Sequence, residues 1–499
     1  MKFTRLSVSL LTVGALASTG CSTDLTALND NPNSPTTAPA GSLFTNAAVT
    51  EVARFAGNSL SGTSLFAQYV AQQQYVDEDR GHLRGSTYDS FFGAYASELE
   101  DLEKVALLGA DSKSPNTTGP ARVMQVWAFQ NMTDAFGDIP YSEALKGDVV
   151  GGPTKPKYDA QKDIYYALLK TLTDASATMK TGGSDAGLGA ADPIYKGDMA
   201  KWLKFSNGLR ARLALRMSKA DAGKANAELA AALSAPGGMM ASNSDNASLA
   251  WPGDGVFDNP WSANFAGRDD HRVSKTLLDT MNALADPRIP VYAQPTPADP
   301  TKYVGLQNGL TPAAAPAFKN TTSRPGAIFF PGATVYGTFG TAAGKKTPSY
   351  IMTYAEVSFI QAEAANRSIG GLTPAAAAAF YNAGVTASIT QWGGTAAAAA
   401  AYLAQPAVAY AGGPAGLQQI GLQKWISLYT QGTEGWSEWR RTGNPASIKM
   451  GPGAFPDTPN VPRRFLYPSS EASVNAASLK AAIASQGADG YYTRVWWDK

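Results

Sequence analysis

From Leu43 to Ser234 the apolar residues recur at intervals of three and four, the period of an amphipathic helix rather than the alternation of a strand. Tyr88, Phe91, Tyr95, Leu99, Leu102 and Val105 form one such stripe. Ile164, Leu168 and Leu172 form a second, and Met199, Trp202, Phe205, Leu209 and Leu213 a third. Helix breakers separate the stripes at Pro115, at Gly151-Gly152-Pro153 and at Gly182-Gly183. Successive helices with no intervening strand pattern predict a mainly α fold of stacked helix pairs. No strict repeat of about 34 residues is visible, so the array is repeat-like and not a consensus repeat.

The pattern changes between Ala235 and Pro348. Gly, Pro, Asn and Asp recur every few residues there, and only Arg272 to Ala285 reads as a helix. Loops this long inside a folded protein are functional or disordered. The aromatics Trp251, Phe257, Trp261, Phe265, Phe329, Phe330, Tyr336 and Phe339 argue for order. Helical spacing returns from Tyr350 to Arg367, from Pro374 to Gln391 and from Leu417 to Gln431. The tail from Gly451 is irregular apart from a helix near Ala476 to Ala484.

Composition narrows the function. With 44% apolar and 10% aromatic residues the chain has the makings of a core. Its 41 Lys plus Arg balance 40 Asp plus Glu, and no basic run appears, which disfavours nucleic acid as a partner. The only cysteine is Cys21, so no intrachain disulfide forms. The only histidines, His82 and His271, are expected to be ordinary polar residues rather than zinc ligands. Gly370-Gly371 and Gly412-Gly413 lack the Lys and Ser/Thr of a phosphate loop, and no cofactor or metal is expected.

Residues 1–20 have a basic start, Lys2 and Arg5, an apolar stretch from Leu6 to Ala17 and small residues before Cys21. This is the outline of a secretory signal peptide. The apolar stretch falls well short of the ~20 residues that a membrane-spanning helix needs. Cys21 resembles the acylated cysteine of bacterial lipoproteins, with Ser18 where that pattern has Leu. Residues 21–42, rich in Thr, Asn and Pro, read as a lipidated tether. The body is expected to be one domain over 43–499, with helical blocks at 43–234 and 350–431 around a loop-rich insertion at 235–349.

Several segments, in order, resemble the SusD/RagB family of outer-membrane lipoproteins. They are "TDAFGDIPYSEAL" (Thr133 to Leu145), "DPRIPVY" (Asp286 to Tyr292), "YAEVSFIQAEAA" (Tyr354 to Ala365), "QKWISLYTQGTEGWSEWRRTGNP" (Gln423 to Pro445) and the ending "TRVWWDK". The last two are similar to the SusD-like branch of nutrient-binding lipoproteins. The resemblance implies tetratricopeptide-like helix pairs packed against an irregular ligand-facing region. It also implies a partner, a TonB-dependent (SusC-like) outer-membrane transporter, and capture of oligosaccharides or peptides without catalysis at the cell surface.

The residues themselves leave the site open. Sugar recognition needs flat rings to cover C–H faces and a few polar groups for the hydroxyls. Trp251, Trp261 and Tyr336 are the expected platform, with Arg268 and Asp269 adding polar contacts; the alternative is that these rings only anchor loops. Arg268-Asp269-Asp270-His271-Arg272 reads as a solvated loop with local ion pairs. Trp436, Trp439, Arg440 and Arg441 suit a sugar, but the structural role is favoured. Glu356 and Glu363 share a helical face, which raises a helical glycoside hydrolase as one rival, with buried structural glutamates favoured. A helical-repeat scaffold that binds only proteins is the other.

Overall fold

Local chemistry sets where the helices begin and end. The computed structural model describes residues 38–57, 60, 62–83, 85–329 and 342–499. The signal segment, Cys21 and Tyr336 lie outside them, and Ala40–Lys499 forms one unit. Helix α1 is Ala40–Gly57, so the last residues assigned to the tether are helical. The stripe from Tyr88 to Val105 divides into α2 (Gly85–Phe92), a 3-10 turn (Gly93–Ala96) and α3 (Glu98–Asp111). Ser97, at φ −134° and ψ −100°, leaves helical geometry and makes the break.

Proline opens α4 (Pro115–Phe136), where its missing N–H costs nothing. Gly137 closes it at φ +85°. A Cβ there would stand 1.7 Å from the Gln486 side-chain oxygen, so both the turn and the packing require glycine. Chain reversal after Gly137 delivers β2 (Ile139–Pro140) to β3 (Tyr158–Asp159). Then come α5 (Gln161–Thr178), α6 (Met199–Arg216) and α7 (Ala222–Leu233). Asp198 and Asp221 accept backbone N–H bonds at the starts of α6 and α7. Successive helices pack on each other from α3 through α7, the stacked arrangement that the apolar stripes predict.

The middle region has more regular structure than its sequence suggests. It contains β4 (Ala247–Leu249), α8 (Pro260–Phe265), β5 (His271–Val273) and α9 (Lys275–Ala283). The helix expected from Arg272 thus starts at Lys275, capped by the Ser274 hydroxyl. Arg272 sits instead in a strand, where β5 pairs antiparallel with β1 (Val70–Gln72). Tyr350 likewise belongs to β6 (Ser349–Met352), paired with β4, rather than to the helix that follows. That helix is α10 (Tyr354–Asn366), with Thr353 as its cap. Beyond it lie α11 (Ala377–Gln391), α12 (Ala396–Leu403), α13 (Gly413–Ser427), α14 (Gly432–Thr442) and α15 (Ala476–Gln486). Among the described residues no helix is long and apolar enough to cross a membrane.

A row of buried ion pairs ties these helices together. Arg216 on α6 bonds Asp134 of α4 at 2.7 Å and Glu434 of α14. One turn back, Arg212 holds Glu356 of α10 at 2.6 Å. Arg441 of α14 reaches Glu363 of α10 and its own neighbour Glu438, and Lys424 of α13 bonds Glu438 at 3.0 Å. Burial alone would raise the Glu438 carboxyl, but Arg441 and Lys424 hold it far below the usual carboxylate range. The C-terminus joins the same row, since the Trp497 indole donates to Asp134 at 2.7 Å.

Removing one partner would strand buried charge. Arg216→Met is expected to lower unfolding free energy by about 3–5 kcal/mol, because Asp134 and Glu434 lose their shared cation. The denaturant midpoint of the purified variant, set against the parent, measures this. A loss under about 1 kcal/mol would mean the row contributes little.

Candidate functional site

Two rings of the expected platform, Trp251 and Trp261, are buried. Trp251 is buried, and its indole donates to the Ser349 hydroxyl at 2.9 Å. Trp261 is buried at the start of α8, with Phe329 and Tyr429 rings at 4.9 and 5.4 Å. Asn259 sets that position: its carbonyl oxygen caps α8, and its amide donates to Thr347 O at 2.8 Å. Both indoles anchor long loops to the helices, because their ring faces are covered by protein. The Trp251–Trp261 stacking surface is therefore corrected to a structural role, and Tyr336 lies outside the described residues.

Arg268 and Asp269 do come together, on the edge of the β1–β5 ribbon. Their run is not the solvated loop expected, since Asp270, His271 and Arg272 are buried. Arg272 bonds Asp269 at 2.9 Å, Arg324 bonds it at 2.6 Å, and Arg268 bonds Asp270 at 2.5 Å. Burial would raise the Asp269 carboxyl, but the guanidinium groups of Arg324 and Arg272 hold it below its ordinary value. Burial pushes the His271 imidazole down to about 4, so it is neutral at physiological pH.

Across from this run stands a ring that the sequence analysis missed. Tyr75 is 63% exposed and adopts φ +54°, an unusual conformation for a bulky residue. The Arg268 guanidinium lies over the ring, 5.0 Å from its centre. Gln73 fixes the approach, donating from its backbone to Asp270 O and from its amide to Asp269 O, at 2.8 and 2.7 Å. Next to Tyr75, Val76 packs with Ala71, Leu306, Leu310 and Ala315. Tyr75 escaped notice because it lies in a stretch read as helical. The polar run Gln72-Gln73-Gln74 before it was the available signal.

Asp79 locks the same loop. Its carboxylate accepts from Asn308 Nδ2 at 2.7 Å, Gly309 N at 3.0 Å and Gln72 N at 3.2 Å, and among the described residues it forms no ion pair. Beyond it, His82 stacks on Phe455 at 3.8 Å and bonds the Asp457 carboxylate at 2.9 Å.

The other sequence candidates are structural. Trp436 is buried, and the Arg440 guanidinium lies over its ring, 3.6 Å from the centre, while donating to the carbonyls of Asp134 and Arg463. Glu356 and Glu363 are buried in the ion-pair row, as favoured. Among the described residues no group of acidic, His and Cys side chains is placed to hold a metal.

Asp79 also makes the site pH-sensitive. Burial raises its carboxyl to about 6, against the hydrogen bonds from Asn308, Gly309 and Gln72 that lower it. The folded chain therefore binds this proton before the unfolded chain does as pH falls. The resulting stability, up to about 3 kcal/mol, is full below an unfolded aspartate's pKa and is lost as pH rises through about 6. Asp79→Asn should flatten that slope. Denaturation midpoints of both proteins at pH 5 and pH 7 read it, and identical slopes would remove Asp79 as the cause.

Residues 32–468 match the SusD-like family model described as starch-binding and associating with the outer membrane. Among solved structures, a chitin-binding protein is 26% identical, with a TM-score of 0.78 over 92% of this chain and 100% of its own. A chitin-binding SusD homologue from Flavobacterium johnsoniae is 24% identical, with a TM-score of 0.77 over 91% of this chain and 98% of its own. A SusD homologue from Bacteroides uniformis gives 25% and 0.77 over 92% and 99%. No curated protein matches the chain.

Proposed function

We propose that this chain, which belongs to the SusD-like family, is a non-catalytic nutrient-binding lipoprotein that captures oligosaccharides at the outer membrane. In this reading an acyl group on Cys21 anchors it facing the cell exterior, and a SusC-like TonB-dependent transporter receives the ligand. Peptide is the other ligand class open to the same arrangement.

The single observation that carries the ligand reading is the exposed Tyr75 ring beside Arg268. A flat ring covers the C–H face of a sugar, and a neighbouring guanidinium donates to its hydroxyls. Asp270 holds Arg268, and Gln73 ties the chain two residues before Tyr75 to the same edge, which limits the freedom lost on binding. Asp269 holds Arg272 and Arg324 and supplies acceptor lone pairs at the same edge. The family description and the chitin-binding of two structural relatives favour a glycan over a peptide.

Calorimetric titration with chitohexaose and maltohexaose tests the site. Tyr75→Ala and Arg268→Ala should each weaken the oligosaccharide that binds by about tenfold, or ~1.4 kcal/mol. Unchanged affinity in both variants would discard this face. The delivery step has a separate readout, a mild-detergent pull-down of the lipidated protein from its native outer membrane. A barrel transporter is expected in equal amount, with the mature N-terminal peptide carrying acyl mass on Cys21. Absence of both the barrel and the acyl mass would overturn the uptake role while leaving the fold in place.

A further inference from the structure

A polar groove lies among other segments than those of the Tyr75 edge. It encloses about 440 Å³ between the segment that leads into α6, the turn before β4, strand β6 and the end of α11. This volume falls within the ~300–1,000 Å³ of small-molecule sites. Lys196 and Lys201 line it, together with Ser244, Ser248, Tyr350 and Gln391. No carboxylate does. Among the described residues neither lysine forms an ion pair.

The neighbouring acids are engaged elsewhere. Asp192 is buried and accepts from the backbone N–H groups of Ile194, Tyr195 and Gly197 and from the Trp202 indole. Asp198 caps α6 through the backbone of Ala200 and Lys201. Asp245 is held by Lys204, with both oxygens 3.0 Å from the ammonium, and by the backbone N–H of Ala241. Two lysines therefore line one groove with no carboxylate in its wall.

The walls are fixed. Asn243 donates to Ala387 O at 3.0 Å, tying the turn before β4 to α11. The Tyr195 hydroxyl donates to Asp245 O at 2.8 Å. The Tyr350 ring meets Trp392 edge-on at 5.5 Å, which sets the floor. The backbone walls are therefore in place before binding, and only the two lysine side chains are ordered by the ligand.

We propose that this groove is a second binding site, separate from the Tyr75 face, and that it takes an acidic sugar unit of an oligosaccharide. A uronate carboxylate placed between Lys196 and Lys201 receives charge-assisted hydrogen bonds. Hydroxyl and amide groups of Ser244, Ser248, Tyr350 and Gln391 then meet the sugar hydroxyls. A neutral sugar would leave both ammonium groups unmatched, so the groove discriminates by charge.

The test is calorimetric titration of the intact protein with trigalacturonate, maltotriose as the neutral counterpart and glucose 1-phosphate. The expected result is binding of trigalacturonate that weakens about tenfold with each of Lys196→Ala and Lys201→Ala. It should also fall as salt rises and stay unchanged in Tyr75→Ala, which separates this site from the first. Three outcomes overturn the proposal: no trigalacturonate binding, affinity unchanged in the double variant, or, in Tyr75→Ala where the first face is removed, equal binding of maltotriose. Glucose 1-phosphate binding as tightly as trigalacturonate overturns the uronate assignment, because the groove would then read phosphate as well as carboxylate. Lys196 is exposed and Lys201 half-buried; a thermal melt of each variant checks folding, and Lys196→Glu with Lys201→Glu gives a stronger version of the same test.

Discussion

The buried ion-pair row from Asp134 through Arg216, Glu434 and Arg212 to Glu356 is the constraint on which the rest of the structure depends. Helices that pack through apolar stripes alone can slide or rotate against one another at modest cost. A buried guanidinium between two carboxylates has one register in which all three are satisfied. Here the partners come from α4, α6, α10 and α14, so one satisfied register aligns the early helices with the late ones. The second cluster of Glu363, Lys424, Glu438 and Arg441 adds α13 to that alignment. Stability is the weaker part of this contribution, since desolvating the charges offsets much of their attraction. Register is the stronger part.

A fixed helical frame explains how so many long loops stay ordered. Trp251, Trp261 and Asn259 each put one anchor into the frame, and short two-stranded ribbons close the remaining backbone groups. The ribbon of β1 and β5 then presents Tyr75 and Arg268 at its edge. Function in such a protein rests on exposed groups held still by buried ones. The Asp79 carboxylate under the Tyr75 loop and the Arg272–Asp269–Arg324 cluster behind Arg268 are the buried halves of that arrangement.

The two surfaces differ in chemistry. The Tyr75 edge pairs its charges internally and offers a ring, which suits a neutral ligand. The groove near α6 has lysines with no carboxylate in its wall and suits an anionic one. A chain with nearly balanced charge overall thus carries local imbalance in one place, which net charge does not reveal.

Much was legible in the sequence. The spacing of Met199, Trp202, Phe205, Leu209 and Leu213 determined a helix because period alone decides which face can be buried. Gly137 and Pro115 determined its neighbours' limits, and the segments around Thr133, Tyr354 and Gln423 identified the family. The apolar stripe could not show that Ser97 breaks it, nor could the pattern at Arg272 and Tyr350 tell a short paired strand from the helix that follows. Strand pairing is made by distant residues, and a one-sided local reading does not contain the partner. The same reason limits what residue type can say about exposure. Trp251 and Trp261 looked like a binding platform from residue type, but only tertiary packing decides whether a ring faces water or Phe329. Tyr75 was exposed, and Lys196 and Lys201 gathered in one groove, by contacts among segments far apart in the chain. Residue chemistry and local period were determined by the sequence itself; which groups meet and which reach solvent was decided by the fold, because burial is a property of neighbours.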